Sequence, residues 1–162
     1  MPISSRIATA AVDFNRNADF LKQAVDGLSD DEWVRRPNEH TNHMQWIVCH
    51  VAWARTNLLK RLGAEWTTPW MPLYGRGAKC VDSAECPSPA AALEAWNETC
   101  SRLNAALESA TEDALDVPIT QGPPTADGKL SGVVHFLAFH ETYHVGQAAY
   151  IRSWLGRSGV MG

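Results

Sequence analysis

Apolar residues recur at steps of three and four along most of the chain, the spacing of one helix face rather than of a strand. Ile7, Ala11, Phe14, Ala18, Leu21, Val25 and Leu28 keep that rhythm. They predict an amphipathic helix of about six turns, with Gly27 near its end. Ser29-Asp30-Asp31-Glu32 reads as a capping box that opens a short second helix through Trp33 to about Arg36, where Pro37 stops it. Asn42 and Gln45 form another cap pair, and the next helix runs from there to about Leu62 and ends at Gly63. Ser88 before Pro89 places an N-cap ahead of a proline at the first helical position. Leu93, Trp96, Cys100, Leu103, Leu107 and Ala110 follow as a heptad-like seam. A last helix spans about Ser131 to Leu155.

Two long connections separate these helices. Residues 64–87 crowd Trp66, Pro69, Trp70, Pro72 and Tyr74 together, and residues 111–129 carry Pro118, Gly122-Pro123-Pro124 and Asp127-Gly128. Connections of this length tend to be functional lids or crossovers. Four long helices with almost no strand pattern predict an all-α four-helix bundle, a single domain over residues 1–162. The long crossovers mean that not every sequential pair of helices is an antiparallel hairpin.

Composition narrows the function. A net charge of −4 without a Lys/Arg cluster argues against nucleic acid as a partner, because phosphate neutralisation needs a basic face. No run approaches the roughly 18 apolar residues of a membrane span. No charged-then-apolar leader opens the chain, so a cytoplasmic protein with reduced thiols is expected. Its cysteines are Cys49, Cys80, Cys86 and Cys100, without a CxxC. Cys80 and Cys86 flank a short loop and are read as an inert surface pair rather than as a disulfide or metal clip.

The last helix holds the chemistry. In His140-Glu141-Thr142-Tyr143-His144 the two histidines lie one turn apart on one face, the geometry that grips a metal ion. Val133, Leu137, His144, Gln147, Ala148, Ile151 and Leu155 fall with His140 in one arc of roughly 100°, which predicts inward-facing imidazoles. The string is H-E-x-x-H, but the eighteen residues after His144 contain no His, Asp, Glu or Cys to complete a zincin site. A third ligand therefore lies upstream. His50 is mid-helix with Trp46 and Trp53 about a turn away on either side, and His50, His140 and His144 make a three-histidine facial site. His43 on the same face is the weaker candidate, His40 precedes its helix and His135 lies off the stripe.

Around these ligands several roles stay open. Glu141 is a general base or ligand-orienting partner, or a solvated surface carboxylate. Tyr143 lines the pocket or packs. Trp46 and Trp53 are core residues or pocket walls beside a bound cosubstrate. Gln147 makes an interhelical hydrogen bond or a substrate contact. Gly146 is expected to allow a close approach, and Arg152 to make a structural ion pair. Three neutral imidazoles leave a divalent ion its full charge and an open position, the catalytic rather than the structural pattern. Such an ion acidifies a thiol or a water, so a thiol transferase, a hydrolase and a non-catalytic metal-binding stress protein all fit.

Trp46-Ile47-Val48-Cys49-His50-Val51-Ala52-Trp53, His140-x-x-x-His144-x-Gly146-Gln147, Tyr150-Ile151-Arg152 and Leu155-Gly156 resemble the DinB/YfiT-like metalloprotein superfamily. So does Leu28-Ser29-Asp30-Asp31-Glu32-Trp33 leading to Arg36-Pro37-Asn38. The resemblance covers nearly the whole chain. It implies an up-down-down-up four-helix bundle with a long crossover, often a homodimer, with a divalent metal, commonly zinc or nickel, on His50, His140 and His144. It also implies a small-molecule substrate and, among known activities, S-transfer or isomerisation using a low-molecular-weight thiol. Many members carry a histidine where this chain has Tyr143, a departure that keeps the ligand set and alters the pocket.

Overall fold

The computed structural model describes residues 3–79 and 86–160. Helix α1 covers Ala8–Val25, α2 Asp30–Val34, α3 Met44–Arg61, α4 Pro89–Ser109, α5 Glu112–Leu115 and α6 Leu130–Trp154, with a 3₁₀ turn at Met71–Tyr74. The chain is all-α: no strand occurs among the described residues, only an isolated bridge between Pro118 and Lys129. Among them, too, no helix is long and apolar enough to cross a membrane. Cys80 lies outside the described residues, and with it the reading of Cys80 and Cys86 as an inert surface pair.

Local chemistry sets the helix ends. Ser29 N–H donates to Glu32 Oε2 at 2.8 Å, the reciprocal half of the expected capping box. The α1 helix is shorter than its apolar rhythm, because Gly27 adopts φ 69° and turns the chain before Leu28. The cap of α3 is His43 rather than Asn42: its Nδ1 lone pair accepts from Trp46 N–H at 3.0 Å, as a cap oxygen would. Gln45 donates instead to the Pro87 carbonyl, tying the foot of α3 to the chain that enters α4.

Helix α1 packs chiefly on α6, and α3 packs on α4 and α6. Arg6 donates to Ser131 and Asn17 to the Ala138 carbonyl and Thr142. Arg152 makes none of the ion pairs found among the described residues, contrary to expectation. Its guanidinium donates to the carbonyls of Ala24, Asp26 and Ser158, so it satisfies orphan acceptors at the C-terminal end of α1.

A buried polar layer divides the core. One apolar cluster includes Leu21, Val48, Ala52, Trp96, Val145 and Ile151. The other includes Phe14, Leu58, Leu103, Leu107, Val134 and Ala138. Between them each long helix contributes one polar residue: Asn17, Arg55, Thr99 and Glu141, none more than 2% exposed. Arg55 and Glu141 form a two-pronged pair at 2.7 Å and 2.7 Å, and Arg55 also donates to the Phe14 carbonyl at 2.9 Å. The guanidinium lies 4.3 Å from the centre of the Trp96 ring, a cation–π contact available to a planar, weakly hydrated cation.

This layer explains why the buried face of α6 differs from the stripe read in the sequence. Ala138, Glu141, Val145, Ala148 and Arg152 form its spine, so the face is turned by roughly 60° from the predicted arc. The histidines stand on its flank, at the boundary between core and cavity. Glu141, expected at the border, is in the centre.

Candidate metal centre

Helix α6 places His140 and His144 on one flank, and α3 brings His50 to face them. His50 Nε2 lies 3.2 Å from His140 Nε2, which in turn lies 3.2 Å from His144 Nε2. The three rings therefore converge through their Nε2 atoms, and they can hold a metal ion. Tetrahedral Zn–N bonds of about 2.0–2.1 Å would set ligand nitrogens roughly 3.3–3.4 Å apart, so the observed spacing fits a metal-sized gap.

Proton positions follow from the far side of each ring. His50 Nδ1 is 2.6 Å from the Tyr74 carbonyl and His144 Nδ1 is 2.8 Å from Gln147 Oε1. Both acceptors require an Nδ1–H, which leaves the Nε2 lone pairs free to ligate. His140 Nδ1 is enclosed and has no hydrogen-bond partner among the described residues.

Burial pushes all three imidazoles toward the neutral form. His140 falls to about 4 through burial and the neighbouring His50. His144 falls to about 4 through burial, then His50 and His140, against the opposing bond to Gln147. His50 is lowered by burial, with the Tyr74 carbonyl working the other way. Three neutral, buried nitrogen donors are the ligand chemistry of zinc, nickel, copper or iron, and the donor type alone does not choose among them.

The tryptophans enclose His50 from both sides. Trp46 stacks on it at 4.5 Å with 13° between planes, and Trp53 at 5.4 Å with 24°. Both line a cavity of about 580 Å³ together with His50, His140 and Phe136. Asn57 and Arg61, which share the His50 face, line it too, and Asn57 donates to the Trp53 carbonyl one turn back. Gln147 is not interhelical: it accepts from His144 and donates to the Tyr143 hydroxyl at 3.1 Å, all within α6. Tyr143 is 58% exposed, with its ring edge-on to His144 at 5.2 Å.

Two expectations are corrected. Glu141 is not a solvated carboxylate: both oxygens are held by Arg55 within the core. Burial pushes its carboxyl above the usual range, and the paired guanidinium pulls it back toward ionisation. No described residue approaches Gly146 closely, since a Cβ there would meet nothing within 4 Å. His43 is spent on the α3 cap, His40 is exposed, and His135 bonds to the Arg6 carbonyl at 2.7 Å.

Sequence reasoning missed Tyr74, whose contribution is a backbone carbonyl that leaves no residue-type signal. It also missed Arg55, a lone cation in the apolar middle of α3, which signals a buried partner without saying where that partner lies.

A family model for the DinB superfamily matches residues 13–148, a span that contains all three histidines. No curated protein matches the chain.

Proposed function

The chain belongs to the DinB superfamily, and from that premise we propose a divalent-metal centre on His50, His140 and His144 that serves a thiol-dependent transferase or isomerase. One observation carries the reading: His140 Nε2 lies 3.2 Å from both His50 Nε2 and His144 Nε2, with the protons of those two rings drawn to their opposite side. Unprotonated nitrogens gain nothing by facing one another without a cation between them. Zinc or nickel is the proposed ion. Held by three neutral imidazoles, it would keep its full charge and would acidify a thiol bound to it.

The chain's residues divide the remaining work. The Tyr74 carbonyl and Gln147 hold protons at Nδ1 of His50 and His144. Trp46 and Trp53 fix the plane of His50 and exclude water from one side. Tyr143, anchored by Gln147 and exposed beside His144, can donate its hydroxyl proton to a substrate oxygen. In S-transfer the thiol sulfur bonds to an electrophilic carbon, the thiol proton passes to solvent, and the displaced group leaves with its bonding electrons. A hydrolase with Glu141 as base is disfavoured, because Arg55 occupies both oxygens; Glu141 is proposed instead as a structural partner.

The proposed arrangement of the helices is up-down-down-up. Contacts of Arg6 with Ser131, Asn17 with Ala138 and Arg152 with Ala24 support a common direction for α1 and α6. Trp46 near His144, and Leu58 in one cluster with Val134, support the opposite direction for α3. The tie from Gln45 to Pro87 supports α4 running with α3. Exposed Phe139, Tyr143 and Tyr150 on one side of α6 support a homodimer, and the free thiols Cys49 and Cys100 suit a reducing cytoplasm.

Metal analysis by plasma mass spectrometry tests the centre. Purified protein should carry about one divalent ion per chain, lost in His50→Ala and in His140→Ala. Unchanged metal in His50→Ala would overturn the ligand set. The loaded protein should then turn over a thiol–electrophile pair, and His50→Ala should not.

A further inference from the structure

The cavity beside the histidines carries positive charge that has no part in holding a metal. Arg61 and Arg76 both line it, and no carboxylate lines it among the described residues. Arg76 makes no hydrogen bond or ion pair with any described residue. Arg61 is held in place by the 111–129 connection: its Nη2 donates to the Gln121 carbonyl at 2.9 Å. Next to it Gly122 adopts φ 146°, and a Cβ there would stand 3.0 Å from the same Nη2. The loop thus omits a side chain where the guanidinium sits. A guanidinium has five N–H donors, so the Gln121 bond leaves most of them available.

Two guanidinium forks in a cavity otherwise lined by uncharged, mostly apolar and aromatic residues match an organic oxyanion. A carboxylate accepts paired, charge-assisted bonds from an arginine, whereas a neutral acceptor gains less and an ammonium is repelled. Trp53 and Phe136 offer flat apolar faces to the rest of the molecule. The volume of about 580 Å³ suits a small organic molecule.

We infer that this cavity binds a small organic carboxylate, its anionic end on Arg61 and Arg76, its apolar body against Trp53 and Phe136, and its reacting end toward His50 and His140. The inference rests on the reading that the three histidines are the reactive centre, and it names the substrate class of that centre. The carboxylate belongs either to the thiol or to the acceptor it attacks.

Calorimetric titration of the metal-loaded protein separates these cases. Two acid–amide pairs serve as probes: benzoate with benzamide, and 3-mercaptopropionate with 3-mercaptopropionamide. In at least one pair the acid should bind about tenfold or more tightly than its amide, the value of a charge-assisted bond. R61Q and R76Q should each erode that preference while metal content stays at the wild-type level. Preference in the thiol pair alone assigns the carboxylate to the thiol, and preference in the aromatic pair alone assigns it to the acceptor.

Acid and amide binding alike in both pairs, no binding of either acid, or a preference that survives both substitutions overturns the inference. The benzoate pair is also titrated after chelation. An arginine-dependent preference in a protein that never loads metal would sink the metal centre and leave the carboxylate site standing. A fully loaded protein without the preference would sink the carboxylate site alone.

Discussion

Helices α3 and α6 are joined by two polar clusters about one turn apart. Arg55 meets Glu141, and His50 meets His140 and His144. Both are built from buried or half-buried polar groups among apolar neighbours, yet they differ in completion. The Arg55 guanidinium is answered by two carboxylate oxygens, a carbonyl and the face of Trp96. Of the histidines, only His50 and His144 are answered, and only behind the rings. In front, three Nε2 atoms meet, and those of His50 and His144 present lone pairs. A closed cluster has no chemistry left to offer and serves to align helices; an open one keeps lone pairs that a guest can use. H-E-x-x-H thus spans both kinds, its histidines in the open cluster and its glutamate in the closed one.

The largest effect is expected at the closed cluster. Glu141→Ala strands the Arg55 charge in the core and should lower folding stability by ~3–5 kcal/mol, read as a fall in the urea midpoint. The folded fraction should keep its metal. The double variant R55M/E141L should recover most of the loss, since an apolar pair leaves no charge behind. Lost metal with unchanged stability in Glu141→Ala would exchange the roles of the two clusters.

At the open cluster a smaller effect is expected from removing support behind one ring. Gln147→Leu deprives the His144 Nδ1 proton of its acceptor and should weaken metal binding by about 10–100-fold. Competition against a chromophoric chelator measures this, and the metal-free protein should melt near the wild-type temperature. Unchanged affinity would mean that the Gln147 bond does not orient the ligand.

An exposed pair supplies the reference for both. The Arg157 guanidinium and then the Ser29 N–H hold the Glu32 carboxyl down, from 4.5 to about 2. Because the folded value lies below the unfolded one, the contact stabilises the fold fully above pH 4.5 and fades as pH falls through about 2. Melts of wild type and Glu32→Gln should therefore differ by a small, constant amount above pH 4.5 and converge toward pH 2. A gap that widens on acidification would contradict the depressed value.

How much of the molecule is legible in the sequence depends on where the signal lies in the chain. The helix positions follow from apolar spacing, and His140 with His144 declares itself because a helical turn brings i and i+4 together. His50 can be proposed because a bundle site needs a facing helix. Apolar spacing misplaces the centre of the α6 core, because it puts Glu141 at the border of the stripe and leaves Arg152 outside it. Their partners, Arg55 and the carbonyls at the end of α1, lie 86, 126 and 128 residues away in sequence. Nothing local identifies such partners. A glycine in a helix suggests close packing, whereas the face that Gly146 presents is open. The Tyr74 carbonyl has no residue-type signature at all, since every residue carries one.

The bond from His50 to that carbonyl makes the connection after α3 a party to the equilibrium at the histidines. Reciprocity requires that whatever tightens one end tightens the other. Occupancy at the imidazoles should slow protease nicking within residues 64–79, and a clamp on that stretch would raise affinity without touching a ligand. The strap leaving α3 is then a gauge as well as a linker: its susceptibility to cleavage reports from outside how full the centre is.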